Sequence, residues 1–84
     1  MNKRVAVISA ILESPLACQS DFNNIVSEYK DIVRGRMGIP FEKEGISVVS
    51  ITVLGTLDEI NGLTGRLGSI KHDTVKTAIS KKEA

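Results

Sequence analysis

The stretch INGLTGRLGSIKHDTVK, residues 60–76, sets Gly62, Gly65 and Gly68 at three-residue intervals around Arg66. Two chemistries compete for such a pattern. A phosphate-binding loop places its glycines ahead of a helix, so that free backbone N–H groups face the anion. Here Leu57, Ile60, Leu63 and Leu67 recur at helical spacing through the glycines themselves, so the glycines lie inside a helix and at its end. The spacing matches neither G-x-G-x-x-G nor the Walker pattern. The segment therefore reads as an amphipathic helix, with Gly68 placed as a left-handed cap just past the last apolar position. Each glycine inside a helix is unfavourable by about 1 kcal/mol relative to alanine. Gly62 and Gly65 on one side, beside Arg66, imply that something approaches that side closely.

The other reactive side chains are sparse. Cys18 and His72 are the only cysteine and histidine. Cys18 falls on the apolar stripe of the first helix with no base near it in sequence, which predicts a buried, inert thiol. His72 sits beside Lys71 and Asp73 with no companion ligand, so no metal site and no metal or organic cofactor is expected. Arg34 and Arg36, two residues apart on a strand, suit an anion or the charged protection of a sheet edge. Asp58 and Glu59 read as helix-start residues, and Glu42-Lys43-Glu44 as a solvated turn. No catalytic residues emerge.

Composition narrows the partners. Eleven Lys plus Arg balance ten Asp plus Glu, which argues against direct nucleic-acid binding. Phe22, Tyr29 and Phe41 are too few for a base-stacking surface. No apolar run is long enough to span a bilayer. The opening MNKRVAVISAILESPLAC has basic residues, an apolar run and a cysteine, as a lipoprotein signal would. Its run is short, holds Ser9 and stops at Glu13 and Pro15, so a strand fits better. One unpaired cysteine fits a reducing cytoplasm. With 84 residues the chain is one domain with a thin core, residues 1–84, and self-association is the open route to further stability.

These residues need positioning elements, and six are legible. Val5 to Leu12 reads as a strand. Ser14 and Pro15 start a helix whose stripe is Cys18, Phe22, Ile25, Val26 and Tyr29, ending near Lys30. Ile32 to Pro40 reads as a weak strand, because Gly35, Gly38 and Pro40 suit only a sheet edge. Ile46 to Leu54 is a second apolar strand, followed by the glycine-bearing helix with Thr56 as N-cap. Ile70 to Ile79 is the last strand, with SKKEA as a solvated tail. The order βαββαβ predicts an α+β, ferredoxin-like sandwich: a four-stranded antiparallel sheet with two helices on one face, strands one and three in the centre.

Two helices cover one face of such a sheet, and the other should be polar. Here both central strands are apolar on both faces. Val5, Val7 and Ile11 oppose Ala6, Ile8, Ala10 and Leu12; Val49, Ile51 and Val53 oppose Ile46, Val48 and Leu54. Whichever set meets the helices, the other leaves an apolar patch, which marks an interaction surface. The expectation is a homo-oligomer, dimer or tetramer, with Ile8, Ala10, Leu12, Val48, Ser50 and Thr52 as candidate interface residues.

GRMGIP (35–40), EGISVVSITVLGT (44–56), DEINGLTGRLG (58–68) and VKTA (75–78) resemble the family of regulators assigned to the iron-only hydrogenase system. The resemblance covers nearly the whole chain and is looser across the first helix. It implies an ACT-like domain, similar to the C-terminal domain of the nickel-responsive regulator but without that protein's DNA-binding segment or its nickel ligands. It also implies a regulatory role without catalysis, and a small-molecule effector bound between subunits near the first strand–helix connection and the second helix. Carried onto this chain, those positions are Glu13, Ser14, Gly62, Gly65, Arg66 and Gly68, with Arg66 as the anion partner. The alternative is a protein-interaction module that docks a maturation factor or a transcription regulator through the apolar face.

Overall fold

The computed structural model describes residues 2–84. Its elements run β1 (Arg4–Leu12), α1 (Pro15–Glu28), β2 (Val33–Phe41), β3 (Ile46–Gly55), α2 (Leu57–Gly68) and β4 (Asp73–Glu83). The four strands form one sheet in the order β2-β3-β1-β4, every neighbouring pair antiparallel. The two apolar strands are thus central, and those carrying glycine, proline and charge are at the edges. This is the α+β sandwich that the element order predicts.

The core lies between the sheet and the helices. β1 supplies Ala6, Ile8, Ala10 and Leu12, and β3 supplies Val49, Ile51 and Val53. α1 meets them with Cys18, Phe22 and Val26, and α2 with Ile60, Leu63 and Leu67. Register decides which face this is: Ile8 pairs with Ile51 and Ala10 with Val49, so these residues share one side of the pleat. The candidate interface set therefore splits. Ile8, Ala10 and Leu12 are at most 1% exposed beneath the helices and cannot contact another molecule. Val48, Ser50 and Thr52 do lie on the opposite, open face, where their β1 neighbours are Ile11, Ser9 and Val7.

Three local details differ from expectation. Gly68 does not turn left-handed: α2 ends through Ser69, whose N–H reaches back to the Gly65 and Arg66 carbonyls. Among the described residues the positive φ angles belong to Gly45 and His72. The SKKEA segment is no tail, because β4 pairs as far as Glu83 opposite Arg4, with a bulge between Arg4 and Ala6. Finally, the β2 register slips between Val33 and Gly35, interrupting the strict alternation that pairs Arg34 with Arg36. Among the described residues no helix is long and apolar enough to cross a membrane.

Candidate functional site

The glycine-bearing face of α2 is approached closely, but by the chain itself. A Cβ added at Gly62 would meet the Tyr29 hydroxyl at 3.0 Å, so Gly62 is the space into which Tyr29 packs. Arg66 then stacks over the Tyr29 ring, 5.9 Å from its centroid. Its guanidinium donates to both carboxylate oxygens of Glu28, at 2.5 and 3.1 Å. That fork-to-fork pairing holds the Glu28 carboxyl below its usual range and raises Arg66 further. Arg66 is therefore committed to a helix-to-helix clasp. Gly65 and Gly68 have nothing within 4 Å of an added Cβ and hold no close neighbour. Nothing in the sequence spacing signals the partnership of Glu28 with Arg66, since 38 residues separate them.

Glu13 and Ser14 belong to a different place. With Pro15, Leu16, Ala17, Glu42 and Gly45 they line a groove of about 600 Å³ between the start of α1 and the β2–β3 turn. Arg66 instead borders a groove of about 520 Å³ with Asp21, Glu28 and Lys71. The structure thus does not bring together the two halves of the sequence-derived ligand site. The Glu13–Ser14 groove is mostly apolar, and Leu16 stands fully exposed at its wall. A smaller cavity of about 320 Å³ shares Pro15, Leu16, Glu42 and Gly45 and reaches Pro40, Phe41 and Ile46, so the groove runs onto the rim of the open sheet face. Ser14 occupies the N-cap position, but its hydroxyl makes no cap bond and α1 has no acidic residue in its first turn. The Ser14 carbonyl instead accepts from the Cys18 thiol at 3.3 Å. Leu16 carried a readable signal, being apolar yet off the stripe of its helix.

At the start of β4, Asp73 turns both carboxylate oxygens inward without a hydrogen-bond partner, and burial raises its pKa. Burial likewise pushes up the Cys18 thiol, and the Asp73 charge adds to the effect. A raised thiol in the core is a poor nucleophile. His72 adopts φ 70° and gives its carbonyl to the Glu13 N–H at 2.8 Å, so the backbone is what that residue contributes. Among the described residues no three His, Cys, Asp or Glu side chains gather as metal ligands would. Arg36 lies over the Phe22 ring at 5.5 Å and donates to Asn23 at 2.6 Å, which ties the β2 edge to α1.

The model of the TM1266-like family, described as "Iron-only hydrogenase system regulator, putative", matches residues 4–77. The chain belongs to this family. Among solved structures, TM1266 from Thermotoga maritima is similar with a TM-score of 0.89 and 24% identity, over 94% of this chain and 99% of that one. The ACT domain of the GTP pyrophosphokinase of Chlorobium tepidum follows at 0.77 and 15%, over 90% and 99%. SnoaB, a cofactor-independent oxygenase from Streptomyces nogalater, gives 0.58 and 12%, over 98% and 94%. These likenesses establish an ACT-like fold; a fold that also serves an oxygenase does not by itself decide between regulation and catalysis. No match is found among curated proteins.

Proposed function

We propose that this member of the TM1266-like family is a non-catalytic regulatory domain of the iron-only hydrogenase system, acting in the cytoplasm as a homo-oligomer that senses a small effector. The observation that carries this reading is the groove between Glu13–Ala17 and the β2–β3 turn, which adjoins the open sheet face through Phe41 and Ile46. An effector held there lies at the margin of any assembly built on that face. Two carboxylates, Glu13 and Glu42, border a mainly apolar trough, and the first turn of α1 itself carries no acidic residue. That arrangement favours a small ligand with an apolar body, a cationic group and, toward the helix start, an anionic one. The non-catalytic part is supported by the family description and by the structural employment of the polar groups: Arg66 clasps Glu28, Arg36 binds Asn23, and Cys18 is buried.

Thermal shift of the full chain against amino acids, nucleotides and divalent metals tests the effector. Stabilisation by one class, reduced in Glu42→Lys, is expected; no stabilisation by any of them defeats effector sensing. The docking-module reading is favoured by one observation, the full exposure of Leu16 beside exposed Phe41. A chain that stays monomeric in light scattering and responds to no ligand supports that second reading.

A further inference from the structure

The open face of the sheet has an order that its apolar composition alone does not reveal. Three rows cross it from β2 to β4. They run Gly35–Thr52–Val7–Ala78, Met37–Ser50–Ser9–Lys76 and Ile39–Val48–Ile11–Thr74. Large side chains gather at the β2 edge, where Met37, Ile39 and Phe41 are 60%, 45% and 44% exposed. The β4 edge is short, with Ala78 and Thr74 flanking Lys76, the one charge in the three rows. Serines occupy the centre of the middle row.

We propose that a second copy of this chain occupies the face, packed sheet on sheet about a two-fold axis that runs along the strands between β3 and β1. This rests on the oligomeric reading above and specifies its surface. The rotation lays β2 over the partner's β4 and keeps row against row. Met37 then lies against the aliphatic stem of the partner's Lys76, whose amine reaches water at the edge. Ile39 meets the partner's Thr74, and Val48 meets the partner's Ile11. Tall edge fills low edge, and the paired serines let the sheets approach to about 10 Å. The face is self-complementary under this one operation, which is what a two-fold interface requires. No like charges are driven together, because each Lys76 faces a methionine. Strand spacing and rise give a face of roughly 20 Å by 30 Å, about 600 Å² before side-chain relief, against about 800 Å² per partner in a standard interface. A partner chosen by charge would find a single lysine to recognise here.

Sedimentation equilibrium and light scattering on the full chain test this with Val7→Lys and Thr52→Arg, both at exposed positions on the face. Leu57→Lys serves as control, a comparably exposed apolar residue at the start of α2 (43%), off the open face. The wild type should be a dimer, or a tetramer that the face variants reduce to a dimer. Each face variant should weaken association at least about 30-fold with its circular dichroism unchanged, while Leu57→Lys leaves it intact. If Val7→Lys misfolds, Thr52→Arg decides alone. A wild type that is monomeric at about 100 μM, far above ordinary dimer affinities, overturns the proposal. So does an oligomer indifferent to both face variants, or one that Leu57→Lys dissolves equally. A monomer still stabilised by a ligand removes the face and leaves the effector reading; a dimer that no ligand stabilises does the reverse.

Discussion

Replacing Asp73 by asparagine should stabilise this protein at neutral pH, and the gain should vanish in acid. Asp73 begins β4 on the helix side, paired with Leu12 and electrostatically coupled to Cys18. Neither carboxylate oxygen has a partner. Leaving a buried polar group unsatisfied costs about 1–3 kcal/mol, more when it is charged. Asparagine removes the charge but keeps an unpaired amide, so a gain of about 1 kcal/mol is expected, or about 4–8 °C in Tm for a domain of this size. The sign follows from linkage. The folded carboxyl has a raised pKa, so the folded state holds its proton more tightly than the unfolded chain does. Below the unfolded value both states are protonated and nothing is lost. As pH climbs from there through the raised folded value, the wild type loses stability, and above it the loss is complete. Urea denaturation of both proteins at about pH 7.5 and about pH 3.5 measures the difference directly, since Glu28 and Glu59 titrate alike in each. No gain at the higher pH, or equal gains at both, refutes the picture of an unpartnered charge.

Thr56→Ala should cost about 1 kcal/mol in chemical denaturation, because it breaks the capping box in which Thr56 and Glu59 exchange hydrogen bonds at 2.9 and 3.2 Å. Gly65→Ala should raise stability by about 0.5–1 kcal/mol through helix propensity; Gly62→Ala should gain less or lose, since Tyr29 must yield, and equal melting temperatures would contradict that packing. Cys18 should react with a thiol reagent only at the rate of local opening, because burial shields it and raises its pKa; labelling as fast as a free cysteine would place the thiol outside the core.

The layout of the fold was readable because each element carries its own signal: Pro15 after Ser14, Thr56 ahead of an apolar stripe, and Gly35, Gly38 and Pro40 on what could only be an edge. The orientation of the sheet was harder. β1 and β3 are apolar on both sides, so alternation alone does not say which side the helices take, and a set mixing Ile8 with Val48 crosses the sheet. Cross-strand register resolves this, and three polar residues were the weak clue: Ser9, Ser50 and Thr52 share the open face. The two halves of the expected ligand site lie apart for a different reason. Arg66 and Gly62 were rightly marked as unusual, yet their explanation lies in Glu28 and Tyr29, contacts that form only when the helices pack side by side. The end of β4 was missed because Ser80 to Glu83 show no strand pattern of their own and are held by pairing to the start of β1.

That last pairing has a mechanical consequence. Arg4 faces Glu83 and the Ala84 N–H reaches the Lys3 carbonyl at 2.8 Å, so the start of β1 and the end of β4 leave the sheet side by side. Tension applied through them would not shear the ladder but peel it, loading one rung at a time across bonds that lie perpendicular to the strands. Pulled by its ends, this domain should yield at low force, opening from the outermost rungs inward.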